Sequence, residues 1–238
     1  MAGLSWQSLR TRLVAGALCA SVASIWIVTL IIGTYLRSDM ELAISAQQFS
    51  TVSLIASEIH RSVNERGAIV ESLAQRLGRL GDVNGASAQA LLESQSGIDP
   101  LFNWGVIVTD ADGLAIASTP ARLQRVGTRH GDLPFFSEVK TAQKPVITPP
   151  LVGRRTGAPV IGITMPIRTP DGRYVGAVLG ITNLGEPNFL DQISNAKFGR
   201  TGDFLVTDVK SRICIASSDK ARVMNAGPAA GVNPVYDR

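Results

Sequence analysis

Leu13 to Leu36 is an unbroken apolar run with no formal charge. A helix rises about 1.5 Å per residue, so about 20 such residues cross a hydrocarbon core. Residues 13–36 therefore predict a transmembrane helix. The run is longer than the apolar region of roughly 7–15 residues in a cleavable signal, which predicts an uncleaved anchor. Arg10 and Arg12 precede it, and Arg37, Asp39 and Glu41 follow. The positive-inside rule then predicts residues 1–12 in the cytoplasm and residues 37–238 outside it, in the periplasm.

From Arg37 to Leu80 there is no proline, and apolar residues recur at steps of three or four. Val52, Ile55, Ile59, Val63, Val70, Leu73, Leu77 and Leu80 form the stripe, interrupted at Arg66. This predicts one long helix over 37–80. Its stripe either covers a face of the following domain or forms a seam with a second copy, since the two differ mainly in stripe width.

The period then changes from helical to alternating. "LFNWGVIVTDADGLAIAST" predicts two strands around an Asp-Ala-Asp-Gly turn. The aspartates read as turn chemistry, because the third acidic position and closing Glu of a calcium loop are missing. Asp132 is expected to cap a helix opened by Pro134 that carries Phe135, Phe136 and Val139 on one side. Three extended runs follow at 145–152, 158–168 and 173–184, joined by the turns "GRRTG" and "TPDG". Short strands joined by turns predict an antiparallel sheet, and the prolines at 149, 150, 159 and 166 belong at its edges or at bulges. After a helix expected over 188–199, "VTDVKSRICIASS" repeats the pattern of "VTDADGLAIAST". The chain thus writes one α+β, PAS-like unit and then begins it again.

Composition narrows the function. Lys and Arg number 23 against 19 Asp and Glu, scattered along the chain, so the net charge of +4 marks no nucleic-acid footprint. Cys19 lies in the apolar run and Cys214 in the second hairpin, which makes an intrachain disulfide implausible. His60 and His130 are the only histidines, and neither sits in a zinc motif. No Gly-x-Ser-x-Gly, His-Glu-x-x-His or Cys–His arrangement supplies a nucleophile and base, so a membrane-tethered periplasmic enzyme is a remote alternative. No cofactor is expected.

The order of these blocks resembles the extracytoplasmic double Cache sensor region of bacterial transmembrane receptors. The residues that carry it are "GVIVTDADGLAIAST", then "VGTRHGDLPFFSEVKTAQKPVITPPLVGRRTGAPVIGITMPIRTPDGRYVGAVLGITNL", then "KFGRTGDFLVTDVKSRICIASSD", together about 200 residues with the long helix. The resemblance implies a membrane-distal module over 81–187 and the start of a membrane-proximal module over 188–238, incomplete at its C-terminus. It implies that a small molecule is gripped between the distal sheet and the helix after the first hairpin. The long helices then relay the change to a cytoplasmic output domain.

"GPAAGVNPVYDR" resembles members whose output is a diguanylate cyclase, with a histidine kinase or chemoreceptor as the alternative, and a homodimer is expected. Many members recognise amino acids through an Arg and aromatics at that helix and an Asp at the end of the last distal strand. Here Leu133 stands at the Arg position, Phe135 and Phe136 at the aromatics and Ile181 at the Asp. The groups that would pair an amino acid's carboxylate and ammonium are absent from those positions. Arg129, Asp132, Phe135, Phe136 and Lys140 are the expected ligand-binding residues, and Arg129, Lys140 and Arg154 are candidate anchors for an anion.

Overall fold

A computed structural model of the chain describes residues 9–81, 83–95, 101–191, 197–198, 202–229 and 231–233. The chain divides into two compact units, Met1–Leu54 and Ile55–Arg238. Helix α1 (Leu9–Arg79) is continuous over 71 residues. In the first unit its segment Arg12–Arg37 has a mean hydropathy of 2.2 with none of its most apolar stretch buried, and is long and apolar enough to cross a membrane. Its serine and threonine hydroxyls bond within the helix. Ser21, Ser24 and Thr29 donate to the carbonyls of Ala17, Ala20 and Ile25 at 2.9, 2.8 and 2.8 Å.

In the second unit α1 packs on an antiparallel sheet. Helix α2 (Gly85–Glu93) follows, capped by Asn84, whose side chain accepts from the Ser87 amide at 3.0 Å. Strands β1 (Val106–Asp110), β2 (Ala115–Thr119), β3 (Val146–Ile147), β4 (Leu151–Val152), β5 (Pro159–Arg168) and β6 (Tyr174–Asn183) form one sheet, with helix α3 (Phe136–Thr141) between β2 and β3. The strand order is β2-β1-β6-β5-β3, with β4 also on β5, and every pairing is antiparallel. This is an α+β fold.

Strand alternation divides the core into two layers. Val106, Val108 and Val178 face α1 and α2, where they meet Val70, Leu73, Leu77, Ala88 and Leu92. Ile107, Ala177 and Leu179 face the other way, towards Phe135, Phe136 and Val139. At Val106–Val108 both faces are buried, which is why β1 opens with three consecutive apolar residues. The α1 stripe therefore covers its own sheet over Val70–Leu77, while Leu80 is exposed. Higher on the helix, Ile55 and Ile59 pack on a separate cluster containing Leu184, Leu190 and Ala216.

Arg66, where the stripe is interrupted, is itself buried. It donates to the carbonyls of Leu101 and Ser62 at 2.9 Å each and lies 4.0 Å from the centre of the Phe189 ring. Two glycines allow the closest approaches. A Cβ on Gly78 would lie 2.0 Å from the Arg168 carbonyl oxygen, and one on Gly180 would lie 2.3 Å from the Phe102 ring.

Of three local expectations two are corrected, while Pro166 does lie at an edge of the ladder. The run 145–152 is not one strand, because Pro149 and Pro150 divide it into β3 and β4. Pro166 sits inside β5, but β3 pairs only as far as Thr164, so no neighbour on that side needs its amide. The helix expected over 188–199 falls partly outside the described residues, and at its end Lys197–Phe198 is a strand (β7), paired with Gly202–Asp203 (β8).

The second hairpin, β9 (Leu205–Thr207) with β10 (Cys214–Ser217), does repeat the first. In each, the Asp amide donates across the turn at 2.9 Å: Asp110 to Leu114 and Asp208 to Ile213. A 3-10 turn and an isolated bridge back to the hairpin follow in both.

Candidate functional site

On the α3 face the sheet is incompletely covered, and a cleft opens there. Its floor is made by residues that alternation turns to that face: the side chains of Ile107 of β1, Leu179 and Ile181 of β6 and Val160 of β5, with the backbone of Gly162 beside them. Trp104, just before β1, also lines it. Thr148, in the proline-containing connection between β3 and β4, is locked to β5. Its hydroxyl accepts from the Gly162 amide at 2.8 Å, and its own amide donates to the Gly162 carbonyl at 2.8 Å. The cleft measures about 610 Å³ out to its open mouth.

The polar wall comes from the segment between β2 and α3. That segment is pinned to the first hairpin: the Gly127 amide donates to Ala115 at 2.8 Å, the Ala115 amide to Thr128 at 2.9 Å, and the His130 amide to Gly113 at 2.7 Å. Arg125 and His130 are thereby held at the cleft. Arg125 is 6% exposed. Its Nε donates to the Ser118 hydroxyl at 3.0 Å and its Nη2 to the Thr119 carbonyl, but among the described residues no carboxylate pairs with it. Burial, with the Arg122 charge adding to it, pulls its pKa down to about 10. Among the described residues the buried Nε2 of His130 has no partner. Burial first, then Arg154 and Arg125, lower the His130 pKa to about 4 against a smaller opposing effect of Asp132, so the ring is neutral at pH 7.

At the rim, Arg154 of the β4–β5 turn grips Asp132 with both η nitrogens, at 2.9 and 2.8 Å, and reaches the Arg129 carbonyl at 3.1 Å. That hydrogen bond is the main reason the Asp132 carboxyl titrates below its usual range. Asp132 is therefore not the helix cap expected from sequence. Helix α3 begins at Phe136, and the cap position, Phe135, makes no side-chain bond.

Phe135 lines the cleft. Phe136 is wholly buried, packed with Ile107, Ala115, Val139, Ala177 and Leu179, and does not line it. The Lys140 ammonium lies 6.0 Å from the centre of the Phe136 ring and 5.8 Å from that of Tyr174. Neither Lys140 nor Arg129 is a lining residue, whereas Leu133 and Ile181 both are.

Sequence reading passed over Trp104, Arg125, His130 and Thr148. The signal available for Arg125 and His130 was their closeness to "VGTRHGD", and only the fold reveals that this stretch runs back along the hairpin. With Arg125, His130, Arg154 and Arg155 on its wall and no Asp or Glu among the described residues that line it, the cleft is apolar below and cationic on one side. Such a site can enclose a small molecule and hold it by one polar end.

No family model and no curated protein matches the chain. Solved structures do. The ligand-binding domain of the Pseudomonas fluorescens chemoreceptor CtaA, in complex with L-serine, matches with a TM-score of 0.56 at 23% identity, over 73% of this chain and 72% of that one. The ligand-binding domain of the Pseudomonas aeruginosa PAO1 amino acid chemoreceptor PctB, in complex with L-Gln, matches with a TM-score of 0.57 at 24% identity, over 73% and 68%. The ligand-binding domain of Mlp24 with asparagine matches with a TM-score of 0.62 at 20% identity, over 79% and 76%. The chain has the α+β fold of these Cache-like ligand-binding domains.

Proposed function

We propose that this protein is a membrane-anchored extracytoplasmic sensor that binds a small molecule in the cleft between its sheet and α3. The observation that carries the reading is the cleft itself, with an apolar floor and a few convergent polar groups, in a fold shared with domains solved with bound amino acids. The apolar segment of α1 is the anchor, in the bacterial inner membrane, with residues 1–12 cytoplasmic and residues from 37 onward periplasmic. The sheet over 81–187 is the membrane-distal Cache module, and the hairpin β9–β10 begins a membrane-proximal one.

Binding biases the packing of α3 and the sheet against α1, and α1 carries that bias towards the membrane, in a homodimer. The output is a diguanylate cyclase on the sequence resemblance. The structural neighbours, ligand-binding domains of chemoreceptors, favour a chemoreceptor as the second reading. A thermal-shift screen of small metabolites against the full chain in lipid nanodiscs tests the sensor reading, because a ligand that binds only the folded state raises its melting temperature. At least one compound is expected to do so saturably. A broad panel with no such compound overturns the sensor reading.

A further inference from the structure

The charges of the cleft do not balance. Arg125 is a nearly fully buried cation whose partners are a hydroxyl and a carbonyl, and its Nη1 has no partner among the described residues. A buried guanidinium without a counter-anion is costly unless something supplies one. His130 presents a buried, unpartnered Nε2 to the same space, and a neutral imidazole can offer that nitrogen as an N–H donor. Among the described residues the lining has no carboxylate, and Asp132 at the rim is engaged on both oxygens by Arg154. An incoming carboxylate would meet two donors. An incoming ammonium would lose its water and find no anion.

Ile107, Leu133, Phe135, Leu179 and Ile181 give the same cleft its apolar surface, and its other polar side chains are arginines and threonines. The cleft as a whole, about 610 Å³ out to its open mouth, is of a size that takes a small molecule.

We propose that the ligand is a small monocarboxylate with an apolar body and no α-ammonium group, its carboxylate held by Arg125 and the Nε2–H of His130. This rests on the reading of the cleft as the sensor's binding site, and it narrows that reading to a chemical class. The cleft then rejects α-amino acids through the absence of an anion rather than through size.

Four three-carbon acids that differ only at Cα separate the possibilities: propionate, lactate, pyruvate and L-alanine. Titrated calorimetrically into the full chain in nanodiscs, at least one of the first three is expected to bind at least tenfold more tightly than L-alanine. Arg125→Gln is expected to weaken that carboxylate at least tenfold. Should this variant fail to fold, His130→Leu, which removes the second donor and leaves the bonds of Arg125 in place, is expected to weaken it at least fivefold.

L-Alanine binding as tightly as the best carboxylate would overturn the proposal and leave the sensor reading standing. So would unchanged carboxylate affinity in a folded variant, or silence of all three carboxylates while another compound of the metabolite screen binds. Silence of these acids and of the entire screen would remove the sensor reading as well.

Discussion

The two adjacent phenylalanines at the start of α3 are alike in sequence and different in the fold. Phe136 is fully buried among Ile107, Ala115, Val139, Ala177 and Leu179, so Phe136→Ala leaves a closed cavity that its neighbours fill only in part. Such truncations cost about 3–5 kcal/mol, combining the lost transfer free energy with the cavity. In a unit of about 180 residues, at roughly 2–4 °C per kcal/mol, the melting temperature should fall by about 6–20 °C.

Phe135 is 6% exposed, but one side borders the cleft. Phe135→Ala enlarges a space that is already open to water, so the cavity cost largely disappears. A loss of about 2 kcal/mol remains, within the range for burying one such side chain. Scanning calorimetry of both variants, as full chains in nanodiscs, should show Phe136→Ala melting clearly below Phe135→Ala. The binding effect is reversed: Phe135→Ala should weaken a cleft ligand at least tenfold, about 1.4 kcal/mol, while folded Phe136→Ala keeps its affinity. Equal melting temperatures, or a greater fall for Phe135→Ala, would refute the placement of the two rings.

Three further outcomes follow from particular contacts. Gly78→Ala should destabilise the second unit by about 1–3 kcal/mol despite the better helix propensity of alanine, because the new Cβ meets the Arg168 carbonyl at 2.0 Å; a raised melting temperature would contradict the docking of α1. His130 has a folded pKa of about 4 against an ordinary 6.5, so the unfolded chain takes up the proton first as pH falls. The stability tied to its neutral form is complete above pH 6.5 and is lost towards pH 4, about 2 kcal/mol of it by pH 5, and a pH profile unchanged in His130→Gln would refute this. Single cysteines along residues 40–54 should cross-link two copies with a period near 3.5 residues, since Ile44, Phe49 and Val52 are exposed while Ile55 and Ile59 pack inside their own unit; uniform or absent cross-linking would argue against a dimer seam there.

Much of the architecture was legible because it is periodic. The three-and-four spacing of Val70, Leu73 and Leu77 marks a helix face, and the alternation of Val106, Ile107 and Val108 marks a strand buried on both sides. The repeated Val-Thr-Asp turns are local, and the fold reproduces their bonding in both copies. The cleft was far less legible. Its residues come from before β1, from the loop after β2, from the β3–β4 connection and from β5 and β6, and no local pattern says that these converge.

Asp132 illustrates the limit. Local chemistry favoured a cap, but an arginine 22 residues away takes both carboxylate oxygens. Arg66 looked like a break in an apolar stripe, yet it is buried, with backbone carbonyls and an aromatic ring satisfying it.

Binding of a small molecule in the cleft can be read from Trp104, which lines it. In a chain carrying Trp6→Phe and Trp26→Phe, Trp104 is the only tryptophan, and its emission in nanodiscs can be followed as a compound that raises the melting temperature is titrated in. The account predicts a saturable change in Trp104 emission, with a midpoint equal to the calorimetric Kd and shifted at least tenfold by Phe135→Ala. A compound that binds while Trp104 emission stays constant, with an affinity indifferent to Phe135→Ala, would contradict it.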